Sequence, residues 1–221
     1  MLTSPLKTFV DIRYLKPIQA GESALPNQGE EGRLEWGFAG TSSSVSISKG
    51  DGKEEEGITH STWHHYLDSR HPVADPSIPV DEGDMYSLLP TLTLEVGHAF
   101  HPHLGRVAGH EELWRDVDAT STNARGTKEC VALRCQDDEG GVRGVVVRVG
   151  GFCQGIVMQG AETTTERWEW KEEVGGWKRV ARTGGRFLPC LVVVGEEGVQ
   201  VGGRVRNGGV EWVVEEVWEW E

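Results

Sequence analysis

Apolar and polar residues alternate with a period of two along most of this chain. In the second half Val131, Leu133 and Cys135 alternate with Ala132 and Arg134, and Val145, Val147 and Val149 alternate with Val146 and Arg148. Residues two apart share one face of a strand, so these runs are strands. Trp168 and Trp170 alternate with Arg167, Glu169 and Lys171. The closing segment sets Trp212, Val214, Trp218 and Trp220 against Glu211, Glu215 and Glu219, with Glu216 interrupting the order. Both read as half-buried antiparallel strands. A helical period is nearly absent; the best candidate is a turn or two at 110–115, His110-Glu111-Glu112-Leu113-Trp114-Arg115.

Glycine pairs punctuate the strands at hairpin spacing: Gly140-Gly141, Gly150-Gly151, Gly175-Gly176, Gly184-Gly185 and Gly208-Gly209. The second half therefore reads as a meander, and closure into a barrel is the usual way for a meander to remove its edges. The polar, glycine-rich stretch 41–57 reads as a hairpin connection. The stretch 69–84, with Pro72, Pro76 and Pro79, reads as an Ω-type excursion. The segment 116–127 has no period and marks a boundary, giving an N-terminal half at 1–117 and a C-terminal half at 118–221. A faint likeness between Leu34-Glu35-Trp36-Gly37-Phe38-Ala39-Gly40 and Val149-Gly150-Gly151-Phe152-Cys153-Gln154-Gly155 leaves duplication and chance recurrence both open.

Composition narrows the function. Hydrophobic residues make up 37% and charged residues 26%, a globular balance. The net charge of -13, from 35 acidic against 22 basic residues, repels nucleic-acid phosphates and anionic lipid, and no basic patch overrides it. Neither a secretory leader nor an apolar span is visible, so a cytoplasmic protein without membrane or nucleic-acid partners is expected. Cys130, Cys135, Cys153 and Cys190 sit in or near apolar runs, where a thiol acts as a small buried hydrophobe, and Cys130 and Cys135 point to opposite faces of one strand. No metal and no cofactor are expected. His98, His101, His103 and His110 lack a ligand signature and read as surface residues.

Seven stretches carry a resemblance. They are Leu34-Glu35-Trp36-Gly37-Phe38-Ala39-Gly40-Thr41, Ser61-Thr62-Trp63 leading to Asp68-Ser69, Gly83-Asp84-Met85-Tyr86, Glu111-Glu112-Leu113-Trp114-Arg115-Asp116, Ser121-Thr122-Asn123-Ala124-Arg125, 150–159, and Asn207-Gly208-Gly209-Val210-Glu211-Trp212. In this order they resemble the fungal HRI-type proteins. The resemblance implies an all-β fold of antiparallel lipocalin-like β-barrels, two similar barrel halves packed together, in a family with no generally assigned enzymatic activity. The histidine-rich stretch 95–103 departs from the family pattern. Fungal lipocalin-like pericyclases of secondary metabolism, including hetero-Diels-Alderases, offer a fold analogy for a diverged copy.

On that analogy a hydrophobic polyketide or terpenoid would sit among Trp36, Phe38, Trp63, Phe100, Trp114, Phe152 and Trp168, since indole and phenyl faces suit flat apolar molecules. The same side chains could simply fill a core. His64 or His65, adjacent on a strand and so on opposite faces, could donate a proton to a carbonyl, with Tyr66, Arg115, Arg125 and Gln154 as further donors. Ion pairing within the fold is the plainer role for each arginine. No nucleophile elbow, catalytic triad, phosphate-cradling loop or dinucleotide fingerprint is present. The sequence thus supports a cofactor-free pericyclase or cyclase. Its alternatives are a non-catalytic protein acting through protein partners and a passive carrier of a hydrophobic ligand. A homodimer is left open.

Overall fold

The computed structural model describes residues 1–48, 54–101, 103–195 and 199–221. Fourteen strands dominate it. They are β1 (Leu2–Thr3), β2 (Thr8–Tyr14), β3 (Leu34–Ser48), β4 (Glu54–Asp68), β5 (Asp81–Leu89), β6 (Leu92–His101), β7 (Arg106–Arg115), β8 (Lys128–Asp137), β9 (Val142–Val149), β10 (Phe152–Gln159), β11 (Glu162–Lys171), β12 (Gly176–Thr183), β13 (Arg204–Asn207) and β14 (Val210–Trp220), with one short helix, α1 (Cys190–Val194). The all-β expectation holds.

The first seven strands form one sheet in chain order, and the other sheet runs β12-β11-β10-β9-β8-β14-β13. Among the described residues neither order closes into a hydrogen-bonded barrel, so the halves are open antiparallel sheets. In the second sheet β8 to β12 make the expected meander, and the last hairpin folds back so that β14 pairs with β8. The two halves thus differ in strand order. The two similar stretches differ as well: Leu34 to Gly40 lie within β3, whereas Gly150-Gly151 is the turn between β9 and β10.

Two expectations shift. The segment 110–115 is not helical but the end of β7, whose exposure alternates residue by residue as a one-sided strand requires. Its Leu113 and Trp114 therefore face opposite ways. The glycine-rich connection shortens, because β3 and β4 extend to Ser48 and back to Glu54, while 49–53 lie outside the described residues.

The sheets divide the chain between Arg115 and Lys128, but its compact units do not follow that line. One unit contains Met1–Gly40, Tyr66–Ile78 and Ala119–Glu221; the other contains Thr41–His65 and Pro79–Asp118.

In the first unit β8, β9 and β10 are buried on both faces. Ala132, Val145, Val147, Ile156 and Met158 pack against Val10, Ile12, Ala39 and Leu67. On the opposite face Val131, Leu133, Val146, Cys153 and Val157 pack with Trp212, Val214 and the helix residues Cys190, Val193 and Val194. Two covered faces explain why Val145-Val146-Val147 is apolar without interruption.

The second unit is built differently. Pairing of β4, β5, β6 and β7 places Thr59, Met85, Glu95 and Glu112 in one row and Ser61, Gly83, Gly97 and His110 in the next, on one face. Its buried members include Ser61, Trp63 and Glu95. Glu95 accepts a 2.7 Å bond from Trp114 Nε1 and lies 3.7 Å from His110 Nε2. A Cβ at Gly83 would sit 3.0 Å from Glu95 Cγ and one at Gly97 3.3 Å from the His110 ring, so both glycines make room for these side chains.

On the other face His60 Nδ1 lies 2.8 Å from Asp84 Oδ1, with Glu82 3.6 Å from Nε2. The bond to Asp84 favours the imidazolium and raises the His60 pKa above its ordinary value of 6.5. A raised folded pKa contributes stability that is fully present below the ordinary histidine value and is lost as pH rises through the folded one. A thermal midpoint followed from pH 5 to 8 should carry this loss on the alkaline side of the range, and His60→Gln should remove that component. A pH slope that is the same in His60→Gln sinks the assignment.

Candidate functional site

The residues singled out from sequence fall in both units, and within each unit they are engaged separately. Gln154 is buried on β10. In the amide orientation that satisfies both atoms, its nitrogen donates to Val10 O and its oxygen accepts from Arg167 Nε, each at 3.3 Å. Tyr66 donates to Cys135 O at 3.0 Å and Gln136 Oε1 at 3.1 Å, with the Arg134 and Arg143 guanidiniums 4.6 and 4.9 Å from its ring centre. Burial pushes its pKa up to about 12 despite those arginines, so it is a poor proton donor at neutral pH. His64 is exposed and His65 half-buried. Arg115 is exposed at the end of β7. Arg125 is 65% exposed and lies 3.5 Å from Glu129 and 3.4 Å from Glu219.

The aromatic set is likewise distributed. Trp36 and Phe38 are buried with ring centres 4.2 Å apart, and Phe9 meets Phe38 edge-on at 5.8 Å. Trp36 donates to Asp68 Oδ1 at 2.9 Å, with Arg70 4.1 Å and Arg13 5.0 Å from its ring centre. These rings are packed against protein. Trp168 packs on the core and donates to Glu166 at 2.8 Å, and Phe152 is half-buried. Trp63 is buried, Trp114 half-buried and Phe100 52% exposed in the other unit. Burial pushes Cys130 and Cys135 up to about 12 and Cys190 well up, so none of the three is a ready thiolate.

Two surfaces stand out instead. The first is a cavity of about 760 Å3 in the first unit, at the end of the second sheet. Trp170 on β11, Trp177 on β12 and Trp218 on β14 line it, with Arg125, Glu129 and Glu219 at its rim. Trp170 and Trp177 are cross-strand partners, and their rings stand 75° apart with centres at 6.1 Å. A hairpin turn at Gly175-Gly176 that pairs Trp170 with Trp177 was the sequence signal for this corner.

Arg148, also in the lining, is 6% exposed and fully engaged. It donates to Val193 O at 3.0 Å, Thr122 Oγ1 at 2.8 Å and Glu129 Oε2 at 2.7 Å. It therefore builds the wall and is not available to a ligand. Arg148→Met should cost about 3 kcal/mol of stability, because Glu129 and the Val193 carbonyl lose a buried partner. A denaturant midpoint unchanged from wild type refutes that role.

The second surface is the outer face of β4 to β7. Register aligns Ile58, Tyr86, Leu94 and Leu113 in a row of direct cross-strand neighbours. Phe100 pairs with Val107 further along the same face, and Phe100, Val107 and Leu113 are 52%, 61% and 63% exposed.

The sequence profile of the family described as Protein HRI1 matches residues 1–216. The chain belongs to the HRI1 family. A crystal structure of the uncharacterized Saccharomyces cerevisiae protein YLR301w shares its fold, with a TM-score of 0.69 at 18% identity over 98% of this chain and 89% of that one. No curated protein matches the chain. Among the described residues no helix is long and apolar enough to cross a membrane. For an HRI1-family chain, the long β3 and β4 and the polar inner face around Glu95 are features that periodicity alone could not have located, because alternation reports spacing and not which face is covered.

Proposed function

We propose that this chain is a non-catalytic binding protein that takes a partner polypeptide on the outer face of β4 to β7. The carrying observation is the inverted distribution of apolar side chains in that unit. Among its described residues Trp63 is the buried apolar side chain, while Val45, Leu88, Leu89, Phe100, Val107 and Leu113 are all at least half exposed. The row Ile58, Tyr86, Leu94 and Leu113 runs from half-buried to exposed, and an apolar surface left open to this degree is the mark of one that something covers. Charge defines the occupant. Between Pro79 and Asp118 eight carboxylates stand against two arginines, and Glu82, Asp84 and Glu111 share the outer face with the apolar row. The partner segment is apolar with flanking Lys or Arg.

A cofactor-free pericyclase would need donors converging on one apolar chamber. The burial of Gln154, the engagement of Tyr66 and the exposure of Arg115, Arg125 and His64 support binding instead.

The test compares proteins captured by wild type, Leu113→Glu and a control, Val201→Glu, whose site is 65% exposed in the first unit. A partner held by wild type and the control, and bound about tenfold more weakly by Leu113→Glu when purified and added back, supports the reading. Equal retention by Leu113→Glu, or turnover of hydrophobic polyketide and terpene substrates by the purified chain, overturns it.

A further inference from the structure

The indole-lined cavity of the first unit is independent of the partner-binding face. We propose that it is a receptor for an alkylated ammonium group, such as a quaternary ammonium headgroup or a trimethylated lysine side chain.

Three observations converge. Trp170 and Trp177 meet edge to face at 75° with ring centres 6.1 Å apart, and Trp218 adds a third indole to the lining from β14. Indole faces attract cations, and an aromatic corner with adjacent carboxylate is the general receptor for an ammonium too bulky to form hydrogen bonds. The same wall already holds a cation in this way: the Arg148 guanidinium carbon lies 5.3 Å from the Trp177 ring centre.

The rim supplies the charge. Glu219 Oε1 accepts from Thr127 Oγ1 at 2.7 Å and lies 3.4 Å from Arg125, which leaves Oε2 without a partner among the described residues. Glu129 gives one oxygen to Arg148 and stands 3.5 Å from Arg125 through the other. Arg125 is thus a loosely held, 65% exposed cation resting between two carboxylates at the mouth. It occupies the place where an incoming ammonium would be neutralised. The whole chain, at -13, draws cations toward it and repels anions. A volume of about 760 Å3 exceeds a trimethylammonium group and leaves room for the apolar chain that carries it.

The two residues of the rim make the sign of the proposal testable. Removing Arg125 frees Glu129 and Glu219, so a cation should bind more tightly and an anion more weakly. Tryptophan fluorescence is followed while the full chain is titrated with choline, its uncharged isostere 3,3-dimethylbutan-1-ol, and benzoate.

Saturable binding of choline, at least about tenfold tighter than the isostere, is expected. The affinity should rise severalfold in Arg125→Ala and fall severalfold in Glu219→Gln, both surface changes that spare the core. Trimethylated and unmodified forms of one lysine peptide, run alongside, tell a small-molecule ammonium from a side-chain one; preference for either trimethylated source supports the site. Equal affinity for choline and the isostere, benzoate binding tighter than that of choline, or no saturable response to choline or to the trimethylated peptide each overturns it.

Discussion

Trp212→Ala should lower the unfolding free energy by about 3–5 kcal/mol, seen as a drop in denaturant midpoint at unchanged slope. Trp212 is 1% exposed. Cys135 is paired with Trp212 on one side and Gly144 on the other, so the three residues form a row across β14, β8 and β9. The indole reaches over Cys135 and ends on Gly144. A Cβ built at Gly144 would stand 2.4 Å from Trp212 Cη2 and 3.0 Å from Cys135 Sγ, so the missing side chain is what lets the ring lie down.

Gly144→Ala alone should therefore cost about 1–3 kcal/mol through overpacking. In a Trp212→Leu background most of that cost should vanish, since the clashing ring atoms are gone. A double-mutant cycle in which the two changes simply add would show that the ring does not depend on Gly144. Trp212 Nε1 is buried with no hydrogen-bond partner among the described residues, so Trp212→Phe should lose less than the difference in ring size alone suggests.

The second large effect is expected at Glu216. Its carboxylate is 3% exposed and accepts from Ser4 Oγ at 2.5 Å, Leu6 N at 3.1 Å and Trp218 Nε1 at 3.0 Å. Three donors converging on one buried carboxylate compensate the loss of its water. Glu216→Ala leaves all three unpaired and should cost about 3 kcal/mol, with Glu216→Gln near half of that and Ser4→Ala about 1 kcal/mol. Hydrogen exchange supplies a second readout: the amides of β1 and β2 should lose protection in Glu216→Ala before those of β9 and β10 do. A variant as stable as wild type, with β1 and β2 protection intact, would falsify the clasp.

Glu216 also shows what alternation can and cannot report. In the sequence it breaks the pattern of β14. In the structure the pairing with β8 slips between Val214 and Glu216, and this bulge moves Glu216 from the face of Leu133 to the opposite face, that of Ala132. A bulge depends on the partner strand, which is not written in the strand that bears it. Strand content was legible because the period of two is a local property, and the β8 to β12 meander was legible because glycine pairs mark its turns. The 110–115 misreading has a related cause: Glu111-Glu112-Leu113 suits a short helix locally, but ten residues of pairing with β6 override that preference.

The site was less legible than the fold. Gln154 reads from sequence as a ligand donor and Trp36 as a pocket wall, but polar and aromatic residues are also what a core uses when each finds a partner, as these do in Val10 O and Asp68. Arg125 reads as a donor or as an ion-pair partner; Glu129 stands only four residues from it, whereas Glu219 reaches it from the far end of the chain through the pairing of β14 with β8. Trp170 and Trp177 needed the register of one hairpin, and Trp218 the return of β14 to β8, which no local pattern encodes.

The first unit is interrupted in the chain by the whole of the second, in two segments, and this sets an order on assembly. Val10 and Ile12 are completed by Val145 and Ile156, which emerge well over a hundred residues later. At about 5–20 residues per second, Val10 and Ile12 wait on the order of ten seconds for these partners. During that interval Phe9 and Val10, wholly buried in the finished fold, are exposed on the ribosome, so in cells the yield of this protein should depend on chaperone capacity more than on its final stability.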